Sequence, residues 1–135
     1  MVFGNVVAGN GIVTLSTVGG RTKSGSTVFS TSGATPAAAA FTVSGSDANT
    51  FSIAYTGSDS VLTNTTGTGN ETMAIGWITE AVATTATGST TVAQDATGTL
   101  ASGSAKIFSG AALTVDNFQV AGAYTGSLVV TVAYN

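Results

Sequence analysis

The sequence predicts a single all-β domain, and three observations support that prediction. Straight-chain helix-favouring residues are scarce, with only three Lys and Arg among 135 residues. Apolar and polar residues alternate over several short runs, as they do in strands that bury one face. Gly- and Ser-rich turn clusters recur about every 8–15 residues, which is typical of a β-sandwich or barrel.

Short alternating runs mark the individual strands. The clearest runs from Phe51 to Thr56, where Phe51, Ile53 and Tyr55 share one face. A later run places Met73, Ile75 and Trp77 on one face, so we expect the single Trp in the core. The alternative is an exposed Trp77 that stacks on a sugar beside Tyr55. Further runs are Ile12 to Ser16, Thr27 to Ser30, Ala40 to Gly45, Leu113 with Val115, and Phe118 with Val120.

The last run, Ser127 to Tyr134, differs from the others because both of its faces are largely apolar. One face carries Leu128, Val130, Val132 and Tyr134, and the other carries Val129, Thr131 and Ala133. Such a strand is expected to be central in its sheet or covered on its second face. The polar stretch from Thr84 to Thr99 predicts a long loop or a weak edge strand.

Composition excludes several classes of function. The net charge of −3 and the absence of a basic stripe argue against nucleic acid as a partner. The chain has no Cys and no His, so disulfides and thiolate or imidazole metal sites are excluded. No run approaches the ~20 apolar residues of a membrane-spanning helix.

The acidic residues give no sign of catalysis. No spacing indicates a paired carboxylate site, and a serine nucleophile would have no His as its base. Asp47 and Asp59 each follow Gly-Ser in a turn, where Asp is expected to cap its own backbone. Calcium held by Asp47, Asn49 and Asp59 is the less favoured alternative. We therefore predict no enzyme activity, no catalytic residue, no cofactor and no bound metal.

The pattern of glycines and aromatic residues resembles a known family. It consists of Phe3-Gly4, Gly11 and Gly20, the runs Ala40 to Gly45 and Phe51 to Ile53, the run Gly110 to Val115, and the closing run Gly122 to Asn135. In this pattern the chain resembles the secreted bacterial family called domain of unknown function 4402, whose members are regarded as pilin-like. The resemblance implies an immunoglobulin-like β-sandwich with Greek-key connections and about seven to nine strands. It also implies an extracellular or cell-surface location.

The beginning of the chain departs from the family pattern. In that pattern Phe-Gly closes a longer first strand, whereas only Met1 and Val2 precede Phe3 here. A sandwich that lacks an edge strand exposes an apolar groove and unpaired backbone groups, and pilins complete it with a strand from a neighbour. We expect residues 1–8 to be such a donor strand or, alternatively, a truncated first strand.

Two alternating sets of donor side chains are possible. The neighbour's groove would receive either Val2, Val6 and Ala8 or Met1, Phe3 and Val7. On the acceptor, the groove would be bordered by Leu128, Val130, Val132 and Tyr134. The expected function is a structural subunit of an extracellular filament that joins copies head to tail. The alternative is a monomeric secreted adhesin or carbohydrate-binding module whose partners are host or surface glycans.

Overall fold

The computed structural model describes residues 1–67, 71–83, 91–92 and 97–135, with the side chains of residues 77–83 and 91–92 outside the description. Throughout this part of the chain the regular structure is β, which confirms the predicted fold class. Several strands are only two residues long, so their number exceeds the predicted seven to nine. The strands are β1 (Val6–Val7), β2 (Gly11–Leu15), β3 (Arg21–Lys23), β4 (Val28–Phe29), β5 (Ala39–Ser44), β6 (Thr50–Ala54), β7 (Val61–Asn64), β8 (Thr72–Ala83), β9 (Thr91–Val92), β10 (Thr97–Thr99), β11 (Ser104–Val115), β12 (Tyr124–Thr125) and β13 (Thr131–Tyr134).

One large antiparallel sheet forms the first layer of the sandwich, in the order β12-β7-β8-β11-β2-β3. Its centre is the long strand β11, which pairs with β8 along one side. On the other side, β5 pairs with the first half of β11 and β2 pairs with the second half. Along this side, the two halves of β11 therefore pair with different strands.

The second layer consists of two separate pieces. One is the antiparallel sheet β10-β6-β13, and the other is the strand pair β1-β4. The first piece packs on a buried cluster that includes Phe51, Ile53 and Ile107. Around the second half of β11 lies another cluster, which includes Leu113 and Val115 and is covered by side chains of the N-terminal residues and β4.

Alternation along β11 explains why both clusters form. Its inward side chains are small or aliphatic and nearly inaccessible to solvent: Ala105, Ile107, Ala111, Leu113 and Val115. The pairing with β8 shifts register between Gly110 and Ala111. Next to that shift, the buried hydroxyl of Ser109 forms a 2.7 Å hydrogen bond with the Tyr55 hydroxyl and so joins the two layers.

An edge glycine shows how closely the second layer is packed. Gly98 lies in β10 directly opposite Phe51 of β6, and a Cβ added to Gly98 would overlap the Phe51 ring. Phe51 has no exposed surface, so its ring covers the bare backbone of the edge strand. A side chain at position 98 would have to displace this ring.

The predicted runs in the middle of the chain are confirmed. Phe51, Ile53 and Tyr55 are buried, and so are Met73 and Ile75. Because Tyr55 is buried, it is not available to stack on a sugar. The side chain of Trp77 lies outside the described residues, as does most of the Thr84 to Thr99 stretch.

The closing run differs from its prediction. Only its second half, β13, is a strand, and among the described strands β13 pairs with β6 alone. It is thus an edge strand rather than a central one, and Val129, Thr131 and Ala133 on its second face are exposed. The first half departs from strand geometry because Ser58 binds it through a side chain: the Val129 nitrogen donates to Ser58 Oγ at 3.0 Å.

Candidate subunit interface

An apolar groove of about 1030 Å³ lies on the inner face of the large sheet, between the two ends of the chain. One wall is the N-terminal segment, residues 1–8, and the other is the C-terminal segment, residues 119–128. The side chains beneath the groove come from β7, β8 and β11 of the large sheet: Leu62, Met73, Ile75, Leu113 and Val115. Each of these is less than one tenth exposed.

Along one edge the N-terminal segment is held by backbone pairing. Val2 and Ala37 exchange both backbone hydrogen bonds, with N–O distances of 2.7 and 2.8 Å. Further along, β1 pairs with β4 in the register Val6 to Phe29 and Val7 to Val28. Among the described strands β1 has no second partner, so the opposite edge of the segment borders the groove.

Arg21 of β3 fixes the middle of the N-terminal segment. Its Nη1 donates to the Phe3 carbonyl oxygen at 2.8 Å and to the Asn5 carbonyl oxygen at 3.2 Å. The guanidinium also lies 4.1 Å from the centroid of the Phe29 ring, close enough for a cation–π interaction. One side chain thus links β3 and β4 to the part of the N-terminal segment between Val2 and β1, where the Asn5 carbonyl oxygen also accepts a 3.2 Å hydrogen bond from the Ser30 nitrogen.

The segment does not alternate regularly, because Gly4 interrupts it. Gly4 has a φ of 71°, and a Cβ there would lie 2.8 Å from the Ala34 carbonyl oxygen. This kink turns Met1, Phe3 and Val6 toward the core cluster around Leu113. Val2 and Val7 remain exposed. Neither of the two predicted alternating sets matches the face that the segment presents to its own domain.

The structure brings most of the predicted interface residues together. The groove is lined by seven of them: Met1, Val2, Phe3, Val6, Val7, Ala8 and Leu128. Val130 and Val132 are half-buried against the other core cluster. Tyr134 is 55% exposed, and its hydroxyl donates to the Ser44 carbonyl oxygen at 2.6 Å. Val130, Val132 and Tyr134 therefore lie beside the groove rather than in it.

Sequence patterns missed the second wall of the groove. Its first part, Gln119 to Ala123, has no regular structure, and side-chain hydrogen bonds hold it in place. Gln119 Nε2 donates to the Tyr124 hydroxyl, which donates to the Val120 carbonyl oxygen, both at 2.7 Å. Asn64 is buried and its Nδ2 donates to the Ala121 carbonyl oxygen at 3.3 Å. Arg21 was also missed, because the sequence marks it only as one of three cations.

Among the carboxylates of the described residues, Asp59 has a structural contact. Asp59 Oδ2 accepts a hydrogen bond of 2.6 Å from the Ser127 nitrogen, which ties its turn to the C-terminal segment. The side chain of Glu80 and the whole of Asp95 lie outside the described residues. In residues 1–67, 71–83, 91–92 and 97–135, no group of three or more Asp, Glu, His or Cys is placed to hold a metal ion. The same residues include no helix that could cross a membrane.

Comparison with known proteins gives a family but no named function. No curated protein and no solved structure matches the chain. One family model matches, described as a domain of unknown function (DUF4402), and the match covers residues 1–134. Because this match extends over nearly the whole chain, the protein belongs to the DUF4402 family.

Proposed function

We propose that this protein is a structural subunit of an extracellular bacterial filament, in which each copy completes the next by strand addition. The proposal rests on one observation, namely that the N-terminal segment is bound to its own domain along only one of its two edges. Its apolar side chains cover the core of the domain, but it is paired along one edge and borders an open groove along the other. A segment bound in this way can detach from its domain, and an identical segment from a neighbour can then bind in its place.

The exchange of this segment between copies costs little energy. A segment from a neighbour would make the same contacts with Ala37, β4 and Arg21 that the chain's own segment makes. Exchange of identical elements is a low-cost route to assembly, and donation in one direction produces an open chain of subunits. Fully extended, eight residues reach about 26 Å, enough for a segment to extend well beyond its own domain.

The groove and the exposed strand edge support the same proposal. Val2 and Val7 project from the N-terminal segment, and β13 has one edge that no described strand pairs with. Exposed edges of this kind are templates for pairing with another chain. An immunoglobulin-like sandwich completed by a neighbour's strand, as in pilins, would use these features. The low charge, with only three basic and six acidic residues, suits a protein exposed to changing salt.

Deletion of residues 1–8 tests the proposal by negative-stain electron microscopy. The full chain is expected to form filaments, and the shortened chain is expected to remain monomeric. A synthetic peptide with the sequence of residues 1–8 should bind the shortened chain, because it restores the cover of the core. A peptide in which Phe3 is replaced by Asp is the matched control and should not bind. Filaments of normal length from the shortened chain would refute the donor assignment.

A further inference from the structure

A fully projecting phenyl ring lies at the end of the large sheet, outside the groove. Phe118 is 91% exposed, and Val18 follows at 72% among the exposed large apolar side chains of the described residues. Phe118 occupies the turn from Asp116 to Gln119, immediately after β11. Burial of a Phe side chain usually contributes about 1.5–3 kcal/mol, and here that contribution is unused within the domain.

Hydrogen bonds fix the turn that carries Phe118. The Gln119 nitrogen donates to the Asp116 carbonyl oxygen at 3.2 Å, which closes the turn. The Asn117 nitrogen donates to Asn10 Oδ1 at 2.9 Å, and Gln119 Nε2 donates to the Thr72 carbonyl oxygen at 3.2 Å. The turn is therefore anchored to the loop before β2 and to the start of β8. The ring is displayed by a rigid support.

The ring projects at the side of a shallow, open surface depression of about 500 Å³. Six of the eight lining residues are polar: Asn10, Glu71, Thr72, Asp116, Asn117 and Gln119. In the described part of the chain, the side chains of Asp116 and Asn117 have no hydrogen-bond partner. Glu71 Oε2 is buried and likewise has none among the described residues.

This combination of groups selects the chemistry of a ligand. Phe118 offers an apolar face, the Asp116 carboxylate offers acceptors, and the Asn117 amide offers a donor and an acceptor. A sugar ring has an apolar C–H face and hydroxyl edges that donate and accept hydrogen bonds, so it satisfies all three. An apolar peptide would instead leave the carboxylates desolvated without partners, which is unfavourable.

The charge of the lining residues further restricts the class of ligand. Among the described residues that line the depression, the charged ones are Glu71 and Asp116, and both are acidic. An anionic sugar would meet like charge without a compensating cation. We propose that the Phe118 depression is a binding site for a neutral sugar unit of a glycan. This site is distinct from the strand exchange, so it stands or falls independently of the proposed filament role.

Saturation-transfer NMR and titration calorimetry with defined neutral disaccharides test the site. The probes are maltose, cellobiose, lactose, mannobiose and di-N-acetylchitobiose, with sialyllactose as the anionic comparison. We expect saturable binding of at least one neutral probe, weakened about tenfold or more by Phe118→Ala because the stacking surface is lost. Phe118→Trp should retain binding, since it keeps an aromatic face. Asn117→Ala should weaken it.

The matched control is Val18→Ala, which removes another exposed apolar side chain at the opposite end of β2. It should leave sugar binding unchanged. Because Phe118 makes little packing contact, its variants should keep the thermal stability of the parent chain. The proposal is overturned if none of the neutral probes binds, if only sialyllactose binds, or if Phe118→Ala binds as the parent does. Loss of filaments with unchanged sugar binding in Phe118→Ala would assign the ring to a subunit contact instead.

Discussion

A disulfide between positions 7 and 28 should lock the N-terminal segment onto its own domain and stop polymerisation. Val7 and Val28 face each other in the β1-β4 pair, and both are about half exposed, so replacement by Cys removes little packing. Directly opposed residues of antiparallel strands have Cα atoms about 4.5–5.5 Å apart, within the range that a disulfide bridges. The chain has no Cys of its own, so only the introduced pair can form.

The size of the effect follows from the length of the closed loop. A crosslink from position 7 to position 28 closes about 22 residues and is expected to stabilise the domain by about 3 kcal/mol. More importantly, the covalent bond prevents the segment from leaving its domain at all. The oxidised Val7→Cys, Val28→Cys variant should therefore be a monomer, and reduction should restore assembly. Light scattering after size-exclusion chromatography and negative-stain microscopy report both states.

A second disulfide distinguishes the effect of locking the N-terminal segment from the effect of stabilising the whole domain. Ile12 and Thr114 are also opposed and exposed, in the β2-β11 pair. Their crosslink closes a loop of about 100 residues and should stabilise by about 4.7 kcal/mol, yet it leaves the N-terminal segment free. The oxidised Ile12→Cys, Thr114→Cys variant should polymerise as the parent does. Equal polymerisation by the oxidised and reduced Val7→Cys, Val28→Cys variant would show that assembly does not require release of the N-terminal segment.

Three further substitutions test individual contacts. Arg21→Ala removes two hydrogen bonds and a cation–π contact, so it should weaken docking of the N-terminal segment by about 2 kcal/mol and speed its amide hydrogen exchange; unchanged exchange would contradict this role. Tyr55→Phe should lower the free energy of unfolding in urea by about 1–3 kcal/mol, because it removes a buried hydroxyl partner of Ser109; a neutral result would show that the bond is dispensable. Gly98→Ala should cost about 1–3 kcal/mol because the new methyl group crowds the aromatic ring opposite, whereas the exposed Thr99→Ala should cost little.

Local alternation predicted the strands whose two faces differ strongly in polarity. Phe51, Ile53 and Tyr55 alternate with polar or small residues, and β6 forms where that pattern lies. The first half of β11 was missed because each of its faces mixes apolar and polar residues: Ala105, Ile107 and Ser109 lie on one face, and Ser104, Lys106 and Phe108 lie on the other. Phe118 and Val120 alternate as a strand would, but they are out of phase with Leu113 and Val115, and Asp116 and Asn117 favour a turn that ends the strand before them.

The candidate interface depends on contacts between distant parts of the chain. Pattern marked residues 1–8 as an apolar segment, and the structure places them beside the groove. The sequence pattern did not show the kink at Gly4 or the hydrogen bonds that Arg21 donates to the segment, because both depend on residues that meet only after folding. The second wall, from Gln119 to Ala123, is shaped by Asn64 and Tyr124 rather than by any local period.

The central claim is that the N-terminal segment of one copy lies on β4 of another, and mixed single-cysteine chains measure this most directly. Chains with Val7→Cys are assembled with chains that carry Val28→Cys and then oxidised, so that no crosslink within one chain is available. We expect covalent pairs between the two variants in the filaments, and none when Thr114→Cys replaces Val28→Cys. Filaments that assemble normally without the 7–28 crosslink would contradict it.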